Sequence, residues 1–233
     1  MKVKVKVFAD GADLVGIQNL ASNPLIQGFT TNPTLMKQAG VADYLAFARE
    51  VVGLVGGRPL SLEVFSDEFP EMHRQAKVLA ALGPNVNVKI PITNTRAESS
   101  MSLVRELARE GVRVNVTAVF TIPQVEAAVA ALNGGPPSFI SVFAGRIADA
   151  GVDPIPTMKS TLQILSSTAH ELIWASPREV LNVVQADQIG CHIITVTHDL
   201  IKKFSSIGKD LDEFSLDTVK MFANDAALAG YTI

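Results

Sequence analysis

Short apolar runs rich in β-branched residues alternate with stretches of helical periodicity along the whole chain. The β-type runs fall at 3–9, 28–31, 60–65, 86–91, 112–118, 139–144, 172–175 and 192–196. Between them, apolar residues recur at helical spacing over 14–22, 41–55, 68–82, 96–110, 122–132, 156–170 and 177–188. A short helix over 198–205 follows the last strand, and 215–228 predicts an additional amphipathic helix at the C-terminus. Eight strands alternating with helices predict the α/β class and a closed parallel (β/α)8, or TIM, barrel. The competing open, doubly wound sheet needs a glycine-rich phosphate loop after a strand, and neither G-x-G-x-x-G nor G-x-x-x-x-G-K-[ST] occurs. No linker, repeat or low-complexity tract divides the chain, so 1–233 is expected to form a single barrel domain.

Polar residues interrupt the strand pattern at regular places. Positions two apart on a strand share a face, and several strands end in polar pairs with that spacing: Thr30 and Asn32, Ser61 and Glu63, Asn87 and Lys89, Asn115 and Thr117. Ser141 and Phe143 repeat the spacing on the sixth strand, and the first strand ends at Asp10. In a barrel this alternation aims one set of side chains into the lumen at the catalytic rim.

Lys89 lies within Val86-Asn87-Val88-Lys89-Ile90-Pro91, a run expected to be buried on both faces. Lysine is almost never fully buried without a partner or a task. Loss of hydration disfavours its ammonium form and exposes a nucleophilic amine that can attack a ketone and form an imine. Asp10 and Glu63 are the carboxylates able to move protons beside that amine, although Asp10 also reads as an N-cap for the helix over 14–22. Asn32 and Thr117 read as residues that orient substrate hydroxyls. Ser176 reads as the N-cap of a helix whose first turn holds Pro177, with free N–H groups and Arg178 available to an anion.

Of the 233 residues, 48% are apolar and 18% charged, with a formal net charge of −3. That balance disfavours nucleic acid and anionic lipid as partners and leaves a small molecule. Cys191 is the sole cysteine, so a reducing compartment fits and no internal disulfide can form. Residues 1–7 alternate lysine with β-branched residues, as a strand does and a signal peptide does not, with Lys2, Lys4 and Lys6 facing water. No run approaches the length of a membrane span. These features predict a cytoplasmic protein. His73, His170, His192 and His198 are scattered without metal-ligand spacing, and Cys191 lacks a basic activator, so no metal or cofactor is expected. Trp174, Phe214 and Phe222 read as packing or interface residues.

Taken together, Phe8-Ala9-Asp10, Thr30-Thr31-Asn32-Pro33, Glu63, Val88-Lys89-Ile90-Pro91, Asn115-Val116-Thr117 and the segment from Ser141 through Phe143 to Arg146-Ile147 resemble the small branch of the transaldolase family, which includes fructose-6-phosphate aldolase-like proteins. The resemblance spans nearly the whole chain. It implies that Lys89 forms the Schiff base, that Asp10 is the acid/base carboxylate and that Glu63 and Thr117 hold a water for proton relay. Thr30, Asn32, Asn115 and Ser141 then contact substrate hydroxyls, with Phe143 on the pocket wall. Arg146 would receive an anionic tail, with Ser176 and Arg178 at the same end. Glu63 and Phe143 match the transaldolase choice, where aldolases of the branch carry Gln and Tyr. After Ser176 the family usually continues with an aromatic residue and a short loop. Here Pro177 and Arg178 follow directly, so the anion-binding end is altered.

The implied reaction moves a dihydroxyacetone unit from an anionic ketose to an aldose such as glyceraldehyde 3-phosphate, without metal. The implied partners are sugar phosphates or related anionic sugars and further copies of the chain, as a decamer or pentamer gripped through 208–233. Three alternatives remain at this point: a lyase that releases dihydroxyacetone, a sugar-phosphate isomerase or epimerase needing no covalent lysine, and a non-catalytic binding barrel.

Overall fold

The computed structural model describes residues 3–232, so the expected placement of Lys2 lies outside them. Eight strands close into a parallel barrel in sequence order: β1 (Lys6–Asp10), β2 (Ile26–Thr30), β3 (Leu60–Glu63), β4 (Val86–Pro91), β5 (Val114–Val119), β6 (Phe139–Val142), β7 (Glu171–Trp174) and β8 (Ile193–Thr197). The helices are α1 (Leu14–Ala21), α2 (Pro33–Gln38), α3 (Tyr44–Leu54), α4 (Phe69–Ala80), α5 (Met101–Arg109), α6 (Ile122–Leu132), α7 (Ala144–Asp149), α8 (Ile155–Leu165), α9 (Leu181–Gln188), α10 (His198–Lys202) and α11 (Leu211–Ala229). The expected (β/α)8 barrel with an additional C-terminal helix is therefore the fold. No helix among the described residues is long and apolar enough to cross a membrane.

The two faces of the strands divide the core. Leu60, Leu62, Val88, Ile90, Val114, Val116, Ile140 and Val142 join helix residues such as Val51, Ala76, Leu107 and Ala128 in one large apolar layer. A separate small cluster of Phe8, Phe139, Ile173, Ala175 and Ile193 belongs to the opposite strand face, the lumen. Phe8 and Phe139 meet edge to face with ring centroids 5.9 Å apart. Gly28 makes room for that plug, because a Cβ there would lie 2.5 Å from the Phe8 ring. One step further along β1 and β6 the same face carries Asp10 and Ser141. The lumen thus passes from an apolar plug to a polar floor at the C-terminal rim.

Several local expectations are corrected. The polar face of β2 stops at Thr30, and Asn32 instead caps α2, its Oδ1 accepting the Leu35 N–H at 3.0 Å. Pro33 follows at the first helical position. The stretch read as strand to residue 144 turns into α7 at Ala144. The helix expected from Pro177 begins at Leu181. Ser176 is not its N-cap but a non-glycine residue at φ +60°. Asn182 Oδ1 accepts the N–H groups of Arg178 at 2.8 Å and Glu179 at 3.2 Å, so those donors are taken. Asp10 caps nothing, since Asp13 is the N-cap of α1. Lys6 does not simply face water, because its Nζ pairs with Glu171 at 2.7 Å. Trp174, by contrast, is fully buried, as its reading as a packing residue expects.

Candidate active site

Lys89 stands on β4 beside Glu63 of β3. Its side chain is buried, and Nζ lies 2.8 Å from Glu63 Oε2 while donating to the Thr31 carbonyl at 2.9 Å. An ammonium in this setting keeps a counter-charge and a hydrogen bond, which offsets the cost of removing it from water. Asp10 of β1 is paired in register with Thr30 of β2, whose hydroxyl donates to Asp10 Oδ1 at 2.7 Å. Burial pushes the Asp10 carboxyl above the usual carboxylate range, opposed by the charge of Lys89 and by the Thr30 hydrogen bond.

Below them a polar relay crosses the lumen. Ser141 Oγ donates to Asn115 Oδ1 at 2.7 Å, and Asn115 Nδ2 donates to Ser61 Oγ at 3.0 Å. Thr117 follows on β5 just before a bulge, where Ala118 takes φ +56° and the register with β6 shifts. Its buried Oγ1 has no hydrogen-bond partner among the described residues. Buried hydroxyls are almost always paired, and Thr117 lines the same cavity as Lys89 and Glu63.

At the outer end, the Arg146 guanidinium lies 5.8 Å from the Phe143 ring centroid and forms no ion pair among the described residues. Arg178 is different. Its Nε donates to both carboxylate oxygens of Asp149, at 2.9 and 3.1 Å, and Nη2 makes a further contact to the same group. Gly145 permits this corner: a Cβ there would fall 1.5 Å from the Ser176 carbonyl oxygen.

A cavity of about 590 Å³ joins these groups. Every site residue expected from the sequence lines it except Asn115, which reaches it through Ser141. The wall also contains Thr195, Gln38, Phe120 and Ala175. Thr195 was legible, two positions after the lumen residue Ile193, whereas Gln38 depends on the unforeseen helix α2. A second depression of about 570 Å³, lined by Glu126, Asn133 and His170, gathers none of the strand-end polar residues. On the helical layer, His73 of α4 comes within 3.1 Å of Glu110 and 3.9 Å of Glu106, a grouping that linear spacing hid. Lys77 already holds Glu110 at 2.7 Å. Cys191 is buried, and its thiol is pushed up to about 12 by that burial, in keeping with a cysteine that lacks a basic activator.

The fold and pocket define a closed (β/α)8 barrel whose C-terminal rim gathers one buried lysine, two carboxylates and a free guanidinium. A family model described as Transaldolase/Fructose-6-phosphate aldolase matches residues 7–232. The chain belongs to that family. It is 37% identical to a probable transaldolase of Desulforudis audaxviator over 203 residues, covering 86% of this chain and 90% of that protein. Over 221 residues it is 35% identical to a probable transaldolase of Novosphingobium aromaticivorans, covering 93% and 97%. Among solved structures, 2,3-dimethylmalate lyase, a PEP mutase/isocitrate lyase superfamily member, superposes with a TM-score of 0.55 at 13% identity, covering 98% of this chain and 84% of that one. That likeness concerns the barrel alone.

Proposed function

We propose that the protein is a transaldolase that carries a dihydroxyacetone unit on Lys89. The observation that supports this reading most is the buried Lys89 amine, 2.8 Å from Glu63, on the wall of the same cavity as Asp10. Glu63 accepts the Lys89 proton, and the free amine adds to the ketone carbonyl of the donor. Loss of water then gives the imine, with Thr117 and Glu63 holding the water that leaves and later returns. Asp10 takes the proton of the hydroxyl two carbons from the imine carbon. The bond from that hydroxyl-bearing carbon to the carbon adjacent to the imine breaks, an aldehyde departs, and the electron pair of the broken bond enters the imine to form an enamine. The enamine attacks an acceptor aldehyde, Asp10 returns the proton to the new alkoxide, and hydrolysis frees Lys89. The imine draws off electrons as a Lewis acid would.

Asn32 Nδ2 and the Ser141–Asn115 relay supply hydrogen bonds to the sugar hydroxyls, with Thr30 fixing Asp10. Arg146 receives the phosphate or similar anionic tail of the donor. Arg178 contributes less, because Asp149 neutralises it. The chain forms one catalytic domain, and its copies associate through α11. That helix buries no residue within the single chain and exposes Leu211, Phe214, Leu216, Val219, Met221 and Phe222, an apolar surface that a homo-oligomer would cover.

The family description also names fructose-6-phosphate aldolase, so release of free dihydroxyacetone is the second reading. A donor assay with and without glyceraldehyde 3-phosphate separates the two. Transfer predicts that ketose cleavage depends on acceptor, and cleavage at the same rate without acceptor makes the protein a lyase.

A further inference from the structure

α10 begins directly after β8, and its first residue, His198, packs against the turn that joins β1 to α1. The fit is tight at two glycines. A Cβ on Gly11 would lie 2.5 Å from His198 Nε2 and 2.8 Å from Cε1. A Cβ on Gly16 would lie 2.6 Å from both Cε1 and Nδ1. Neither glycine has a positive φ, so neither is required by backbone conformation. Gly16 lies inside α1, where glycine costs about 1 kcal/mol relative to alanine. Space for the imidazole is the physical reason at Gly11, and at Gly16 the imidazole and the Asp13 carboxylate, 2.7 Å from the same Cβ position, together exclude a side chain.

The ring is placed there at a further cost. His198 Nε2 is buried without a hydrogen-bond partner among the described residues, in a position where polar atoms are normally paired. The charged groups that face the ring are Asp13 on the turn, Asp10 on β1, and Asp199 and Lys202 on its own helix. Burial nevertheless holds the imidazole below its usual range. Gly11 is the residue after Asp10. Its N–H donates to the Thr30 carbonyl at 3.1 Å, and the Thr30 hydroxyl holds Asp10. The ring therefore packs against the residue that follows Asp10, while Thr30 holds the carboxylate itself.

We infer that His198 is a positioning residue for the reaction, a wedge against Gly11 and Gly16 that fixes the aim of the Asp10 carboxylate. This inference rests on the reading of Asp10 as the proton-transfer group. His198→Ala removes the wedge, and His198→Phe keeps a planar ring that cannot titrate. Steady-state transfer and borohydride trapping of the enzyme with dihydroxyacetone are measured for both, and for Gly11→Ala and Asp10→Asn.

His198→Ala and Gly11→Ala are expected to lower kcat by roughly 10- to 100-fold, the scale of a misplaced proton-transfer group. KM stays within about threefold, and trapping remains at the wild-type level because forming that imine breaks no carbon–carbon bond. His198→Phe recovers most of the lost kcat. Wild-type kcat in His198→Ala, alongside an inactive Asp10→Asn, overturns the wedge and leaves the role of Asp10 standing. A kcat loss in His198→Ala that comes with equal loss of trapping, or that His198→Phe does not relieve, also overturns it. Full activity in Asp10→Asn instead removes the proton-transfer reading on which the inference rests. Should His198→Ala fail to fold, His198→Phe and Gly11→Ala carry the same comparison.

Discussion

Replacing Arg146 with alanine tests how the pocket takes an anion. Two guanidiniums stand at that end of the cavity, but their charges are not equal. Arg178 is held by Asp149 through Nε–H bonds of 2.9 and 3.1 Å to both oxygens, so the pair is close to neutral as a ligand sees it. Arg146 forms no ion pair among the described residues; the Phe143 ring lies 5.8 Å from its guanidinium, and Asp149 acts on it only at longer range. The positive charge offered to a substrate tail is therefore essentially that of Arg146. Hydrogen bonds to charged groups are worth about 1.5–3 kcal/mol each, and a bidentate contact at a partly hydrated rim comes to roughly 2–4 kcal/mol. At about 1.36 kcal/mol per tenfold, the loss is roughly 30- to 900-fold in kcat/KM for an anionic ketose.

The same variant on an uncharged ketose should stay within about threefold of wild type, since no charge-assisted contact is lost. Arg178→Ala costs less than Arg146→Ala but is not neutral, because it frees the Asp149 carboxylate to repel the tail. Arg178→Ala combined with Asp149→Asn should recover part of that loss. Steady-state kinetics on phosphorylated, sulfonated and uncharged ketoses decides the matter. Equal damage by Arg146→Ala to charged and uncharged donors would make the residue structural and refute the reasoning.

Two further perturbations follow from the geometry. Gly145→Ala places a Cβ 1.5 Å from the Ser176 carbonyl oxygen, so the segment carrying Ser176 and Arg178 must retreat; chemical denaturation should show a loss of about 1–3 kcal/mol, and unchanged stability contradicts the close approach. Asp10→Asn should lower transfer by roughly 10²- to 10⁴-fold, as removal of a general acid–base group does. It should also stabilise the fold near neutral pH. Burial raises the Asp10 carboxyl above its ordinary 3.8, so the native state binds that proton more tightly than the unfolded chain, and ionisation costs stability as pH rises through the interval above 3.8. The variant's advantage should therefore shrink on acidification and vanish below the ordinary carboxylate value. A destabilised Asp10→Asn at pH 7, or an advantage that does not change with pH, would be wrong for this site.

Much of this arrangement could be read from residues alone, because a barrel strand buries both faces and tolerates polar side chains only where they serve the lumen. Asn87-Val88-Lys89 and Asn115-Val116-Thr117 each announced a lumen face at a strand end, and the closed sheet brings those faces together. What escaped the sequence was local or three-dimensional. Helices α2 and α7 span six residues each, too short for periodicity to emerge, although Asn32-Pro33 carried the cap signature of α2. Ser176-Pro177 looked like a helix start. The Ser176 carbonyl instead packs on Gly145, Ser176 takes a positive φ, and α9 begins only at Leu181. The carboxylate expected to face a desolvated Lys89 amine proved to be its direct ion-pair partner. The Asp149–Arg178 pair and the seat of His198 between two glycines join segments far apart in the chain, and no linear pattern marks them.

The role of Lys89 is tested most directly by borohydride reduction during turnover, followed by mass spectrometry of the digested protein. A three-carbon dihydroxyacetone adduct on the peptide containing Lys89, absent from a folded and inactive Lys89→Met variant, is the expected result. An adduct on any other lysine, or normal turnover by Lys89→Met, would contradict the proposed chemistry.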